Sequence, residues 1–228
     1  MNQCTSYSTN EKVEHIETTQ TEWAGKWNEK VMYYVRNTPC KSLTNKQIQK
    51  ALNLAFSTWE AEIDIKIHPI STGQAANFTL DFKSSLLEPM FKEKPSVLAY
   101  AYFPAQGSVS GRVVFNDDYI WSLDGKEIKA KDAIERGYPV KGTPSPDQLL
   151  RTYNIISVLI HELGHNLGLR HDEHNDTDDA MDAYYDGKVD LSYWDIFRIR
   201  LKYPERQIKH SRYEDFKRAL LRLIKSAK

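Results

Sequence analysis

The chain has 228 residues, 40% hydrophobic, 11% aromatic and 27% charged, with 31 basic residues balanced by 31 acidic ones. That length predicts one domain or one and a half with a real core, and the zero net charge gives no global reason to expect a nucleic-acid or membrane-surface partner. No stretch approaches the roughly 18 apolar residues of a membrane span.

Residues 1–21 are polar and rich in Thr, Ser and Glu, which predicts a flexible arm. The arm has no apolar run of signal-peptide type, so export by that route is not expected unless a leader has been removed. Cys4 and Cys40 could pair, but two cysteines are weak evidence for an oxidising compartment. VMYYVRN (31–37) reads as a strand from its β-branched and aromatic content. SLTNKQIQKALNLAFSTWEAE (42–62) reads as a helix capped by Thr44 or Ser42, with Ile48, Leu52, Ala55, Phe56 and Trp59 on one face. IDIKIHPI (63–70) and ANFTLDF (76–82) read as strands, and 83–97 as a loop. VLAYAYF (97–103) and GRVVFND (111–117) are two further strands. Residues 122–147 carry several Gly and Pro and read as a long surface insertion. Residues 149–169 and 191–204 read as helices, and 205–228 as a third, basic and amphipathic, better suited to packing on its own domain than to docking. The order of elements predicts an α+β fold, a mixed sheet with helices packed on it.

The first long C-terminal helix contains HELGHNLGLRH (161–171). Residues four apart share a helix face, so His161 and His165 can offer two imidazoles to one metal ion. Glu162 points about 100° away and can reach a water at the metal without binding it. Gly168 permits a positive φ and a sharp turn that swings His171 back as a third ligand. Three protein ligands leave a fourth position for water, the arrangement of a catalytic zinc hydrolase, with Glu162 as general base. A lone His-Glu-x-x-His is a common accident, but the added Gly and third His make chance a poor account of the extended pattern. His174 is a possible rival ligand.

HELGHNLGLRH followed by Met181 in DDAMDAYY resembles the metzincin clan, and within it the matrixin family. KWNEKVMYYVRN, IQKALNLAFSTWE, ANFTLDF, VLAYAYFP and LSYWDIFRIRLKY resemble the family's successive elements in the right order, from about Trp23 to Tyr203. The resemblance implies a zincin-like catalytic domain over 22–204 with a mixed twisted sheet, an active-site helix, a Met-turn and a C-terminal helix. It implies one catalytic zinc on His161, His165 and His171, with Met181 as a structural Met-turn residue braced by Asp195. It also implies that the edge strand Leu98, Ala99, Tyr100, Ala101 pairs with an extended peptide. A specificity pocket would be lined by Ser157 or Val158 and by Ala183, Tyr184 and Tyr185, with room for a sizeable apolar side chain.

The chain departs from the family in several places. Tyr100 and Val114 stand where the family has histidine ligands of a structural zinc, so that zinc is expected to be absent. Asn116 and Tyr119 replace acidic calcium ligands and leave only Asp117 and Asp118, so calcium is left open. Trp194 replaces the aspartate that holds a freed N-terminal ammonium. Cys4 lacks the family's propeptide motif, and an incidental role is favoured over a latch on the zinc. The acidic segment 172–195 reads as a solvated loop before it reads as a calcium site. The expected function is a zinc endopeptidase that acts as a monomer on protein or peptide. Two alternatives stand beside it. One is a self-processing or particle-associated protease of a bacterium or phage. The other is a non-hydrolytic zinc module that holds peptide, which the intact Glu162 argues against. The family is exported, while this sequence also allows a virion-associated or intracellular place.

Overall fold

In a computed structural model, residues 25–70, 76–172 and 179–204 are described, together with the backbone of Gln3–Tyr7. The elements are β1 (Gln3–Tyr7), β2 (Val31–Arg36), α1 (Asn45–Glu60), β3 (Lys66–Pro69), β4 (Phe78–Lys83), α2 (Pro89–Glu93), β5 (Val97–Tyr102), β6 (Arg112–Asn116), β7 (Trp121–Ser122), β8 (Ile128–Lys129), α3 (Ala130–Glu135), β9 (Leu149–Leu150), β10 (Tyr153–Asn154), α4 (Ile155–Asn166) and α5 (Tyr193–Lys202). The expected tail helix at 205–228, and His174, lie outside the described residues.

Helix α1 starts where its cap chemistry dictates. Thr44 Oγ1 accepts from the Gln47 N–H at 3.3 Å, and Gln47 Oε1 accepts from the Thr44 N–H at 2.9 Å. Thr44, rather than Ser42, is therefore the cap, and Ser42 Oγ accepts from the Trp121 N–H at 3.0 Å instead. The face bearing Ile48, Ala51, Leu52, Ala55, Phe56 and Trp59 is buried. Helix α4 begins at Ile155, not at Leu149, because Asn154 Oδ1 caps the Ile156 N–H at 2.9 Å and the preceding residues enter strands.

A six-stranded sheet has the order β1-β5-β6-β4-β2-β3. The β2, β3, β4 and β6 pairings are parallel, and β5 is antiparallel to β6. Helices α1 and α4 pack against each other, and α4 against β5. At their contact Trp59, 1% exposed, donates through Nε1 to the Ile160 carbonyl at 2.9 Å. A second, smaller apolar cluster joins Phe91 of α2 with Val97, Tyr100, Tyr102 and Val114.

The edge of the sheet differs from expectation. The segment read as a flexible arm supplies a strand, β1, antiparallel to β5. Its polar composition speaks to how little core it can build, whereas an exposed strand edge recruits backbone groups regardless of side-chain polarity. Consequently the Leu98–Ala101 strand is not the sheet's outer edge. From the 122–147 surface insertion, β8 pairs with β9 just beyond it, and α3 buries Ala130 and Ala133. The surrounding Lys, Asp and Glu hid that short apolar pair. Cys40 is a free, buried thiol, and burial pushes its pKa up to about 11.

Trp59→Ala should lower unfolding stability by about 3–5 kcal/mol, read as a lower urea midpoint, because it opens the α1–α4 contact and removes the indole donor to the Ile160 carbonyl.

Candidate active site

His161 and His165 lie one turn apart on α4, with ring centroids 4.5 Å apart. The helix ends at Gly168, whose φ is +93°, and a Cβ there would strike the Gly25 carbonyl and the Lys202 side chain. Beyond the turn, Arg198 donates from Nη2 to the Arg170 carbonyl at 2.7 Å. The Asp172 N–H donates to the Met181 carbonyl at 3.1 Å. His171 is held between these two tethers, its ring 5.1 Å from that of His161 and 4.8 Å from that of His165.

The ring nitrogens define what this cluster can do. His161 Nδ1 sits 2.7 Å from the Ala180 carbonyl and His165 Nδ1 sits 2.7 Å from the Leu169 carbonyl. A carbonyl only accepts, so each Nδ1 carries the proton and each Nε2 of the neutral ring is a bare lone pair. Those Nε2 atoms are 2.9 Å apart, and His171 Nε2 is 3.1 Å from that of His161. With both Nδ1 atoms protonated, no proton remains for a hydrogen bond between the neutral His161 and His165 rings, and their lone pairs repel unless a cation lies between them. The spacing approaches the roughly 3.3 Å separation of nitrogens around a tetrahedral zinc with ~2.0–2.1 Å bonds. Burial keeps the rings neutral: it pushes the His161 pKa down to about 4 and that of His165 well below its ordinary value. Among the described residues, His161, His165 and His171 form the one group of this kind able to hold a metal ion. Glu162, beside His161, has no exposed surface.

Met181 is fully buried and packs against Gly164 of α4. A Cβ at Gly164 would collide with Met181 Sδ and meet the Trp59 ring at 3.0 Å, so only glycine admits this packing. Asp195 accepts from the Ala180 N–H at 2.7 Å and the Met181 N–H at 3.3 Å, and from the Ser192 N–H at 3.0 Å. It thereby fixes the same residue whose carbonyl orients His161. Burial raises the Asp195 pKa while these N–H donors pull it down.

Ser157, Val158, Tyr184 and Tyr185 line a cavity beside His161, together with Ala180 and with Asp179, Asp182, Asp186 and Lys188. Ala183 is not among the lining residues. Tyr185 is fixed by its hydroxyl, which accepts from the Asn154 N–H at 2.8 Å. Burial raises Asp179 to about 7 and Asp182 to about 6, with neighbouring carboxylates adding to the shift. Leu98, Ala99, Tyr100 and Ala101 are buried in β5, with β1 alongside.

The motif reading did not reach several contributors. Arg198 and Asn166 act through backbone carbonyls: Asn166 Nδ2 donates to the Tyr102 carbonyl at 2.9 Å and ties α4 to β5. Arg198 carried one usable sign, a charge on the buried side of α5 one turn beyond Asp195. Asp182, Asp186 and Lys188 were visible only as part of an acidic segment.

The matrixin peptidase family matches residues 22–204. The chain belongs to the matrixin family. Its relatives include human matrix metalloproteinase-25, 24% identical over 72% of this chain and 26% of that protein. Karilysin of Tannerella forsythia is 24% identical over 75% of this chain and 33% of its own length. Macrophage metalloelastase of Oryctolagus cuniculus is 30% identical over 71% of this chain and 29% of its own. The chain thus spans about a quarter to a third of the length of these relatives. Matrixins use a catalytic zinc, and the His161, His165, His171 cluster could bind it. Among the described residues no helix is long and apolar enough to cross a membrane.

Asp195→Asn puts an amide against backbone N–H donors that now meet carboxylate oxygens. It should cost about 1–3 kcal/mol of stability and weaken zinc retention, measured by thermal melting and by competition with a chromogenic chelator.

Proposed function

We propose that this chain is a zinc-dependent endopeptidase in which Glu162 is the general base and His161, His165 and His171 hold the metal. The observation that carries the reading is the convergence of three Nε2 atoms, 2.9 and 3.1 Å apart and bare on His161 and His165, beside the buried Glu162. Zinc at that point supplies Lewis acidity, polarising a peptide carbonyl and making water acidic near neutral pH. The Ala180 and Leu169 carbonyls hold the His161 and His165 tautomers that present Nε2 to it. Glu162 takes the proton of the attacking water and delivers it to the leaving amine. Extended peptide lies along β5, and the side chain after the scissile bond enters the cavity of Ser157, Val158 and Tyr185.

The structural zinc of the family is not part of this reading. Tyr100 and Val114, at the positions expected for its ligands, are 1% and 0% exposed in the small apolar cluster with Phe91. Packing there does the work an ion would do. A natural substrate of protein or peptide class follows from the reaction, and monomers are the simplest working state.

The test is digestion of a mixed peptide library by the zinc-loaded chain and by Glu162→Gln, read by mass spectrometry. Cuts should fall by about 10²–10⁴-fold in the variant while zinc content is unchanged. Equal cutting by both would remove Glu162 from the mechanism, and no cutting by either would favour a peptide-holding module.

The cavity carries Asp179, Asp182 and Asp186 against Lys188 alone, and Lys188 Nζ is already 3.0 Å from Asp186. Acidic residues after the scissile bond should therefore be cut slowest. Because Asp182 titrates at about 6 and Asp179 at about 7, protons bind as the medium is acidified and that discrimination shrinks. Cleavage profiles at about pH 7.5 and about pH 5.5 check the sign.

A further inference from the structure

The two metal-binding turns of α4 face opposite charges. Beside His161 the cavity carries Asp179, Asp182 and Asp186. Beside His165 lies Arg170. Its guanidinium carbon is 5.3 Å from the centre of the Phe103 ring, and that ring stands edge-on to the His165 ring at 5.5 Å. Phe103 is the buried residue that follows β5. The half-buried Arg170 therefore sits where the end of β5 meets the end of the ligand helix.

More positive charge stands behind Arg170. Arg198, 7% exposed, holds the Arg170 carbonyl through Nη2, and the Lys202 side chain packs against Gly168. Burial, and then the charges of Lys26, Arg170 and Arg198, pull the Lys202 pKa down to about 8, so these four cations share one neighbourhood. Arg200 on the same helix has its carboxylate, with Glu62 Oε2 2.6 Å from Nη2. Arg170 and Arg198 form no ion pair among the described residues, and Arg170 Nε and Arg198 Nη1 are buried without a hydrogen-bond partner. A guanidinium keeps its charge at any working pH, so neither group escapes this cost by losing a proton. What the flank lacks is an acceptor, and an anion supplies one.

We propose that Arg170, backed by Arg198 and Lys202, is a specificity residue that receives an acidic side chain of the substrate from the amino-terminal side of the scissile bond. The inference rests on the endopeptidase reading above. In that reading the side chain after the bond enters the cavity beside His161, so the residues before it run past His165 towards Phe103. A Glu or Asp carboxylate arriving there meets the guanidinium with the planar geometry that both groups favour. The preferred substrate is then acidic before the bond and not acidic after it. Complementary charge of this kind selects among substrates rather than speeding all of them.

The test uses the full zinc-loaded chain and a peptide drawn from the library cuts, with each of the three residues before the bond set in turn to Glu, Gln or Lys. At one of these positions or more, the parent chain should favour Glu over Gln by about tenfold in kcat/KM and disfavour Lys. In Arg170→Gln, whose backbone carbonyl still meets Arg198, that ratio should fall to about one, and in Arg170→Glu the order should invert in favour of Lys. Lys50→Gln, on the exposed face of α1, removes the same net charge and should keep the parent's ratio. Fluorescence anisotropy with the same peptides on the Glu162→Gln chain gives a readout independent of turnover, and the order of affinities should match. A parent chain indifferent to Glu at all three positions, a preference that survives in Arg170→Gln, or one lost equally in Lys50→Gln would overturn the proposal. If no peptide is cut while binding still follows Arg170, the endopeptidase reading fails and the anion recognition stands. If peptides are neither cut nor bound, both fail.

Discussion

Two imidazole lone pairs held 2.9 Å apart in a buried site are the constraint on which the rest of this structure depends. Nothing in an ordinary core favours that arrangement. Desolvation keeps the rings from charging, and carbonyl partners at the far nitrogens take up the only proton each ring has. The repulsion that remains is relieved by a cation and by little else. The fold can be understood as what is needed to hold that unfavourable geometry in place.

The bracing comes from three directions and passes mostly through the backbone. From below, Trp59 holds the Ile160 carbonyl next to His161, and Met181 fills the space left by the missing side chain of Gly164. From the C-terminal side, Asp195 fixes Ala180 and Met181, and Arg198 fixes Arg170. From the sheet, Asn166 ties the end of α4 to Tyr102 while its own carbonyl accepts from Trp27 Nε1 at 2.7 Å. Tyr203 closes this loop by donating to the Leu167 carbonyl at 2.9 Å and accepting from the Trp27 N–H at 3.2 Å. Side chains that bond to carbonyls and amides can position a ring without sharing its chemistry, so the ligands remain neutral and free to bind metal.

How much of this was legible in the sequence follows from the range of each interaction. The spacing of His161, Glu162, His165 and Gly168 is local, set by the helical repeat and one positive φ, and it can be read directly. The apolar face of α1 is local in the same sense. The start of α4 was not, because the apolar run from Leu149 continues the helical pattern backwards, and only the Asn154 cap and two short strand pairings stop it. Helix α3 escaped because two alanines among charges are a faint signal. Arg198 and Asn166 could not be found from motif chemistry, since their partners are carbonyls with no identity in the sequence. Strand β1 escaped for a deeper reason. A strand that adds to an existing edge needs backbone groups and reach, and its own side chains need not declare it.

That last point bears on a tension built into any enzyme that binds substrate by strand addition. All six residues of β5 are buried, so its side chains belong to the core on both faces and the strand cannot leave the sheet. On the proposed endopeptidase reading its outer backbone must nevertheless be available to a peptide, and an available edge is open to every other extended chain, including copies of itself. Charges, prolines or bulges on β5 would blunt that edge but would also blunt substrate binding.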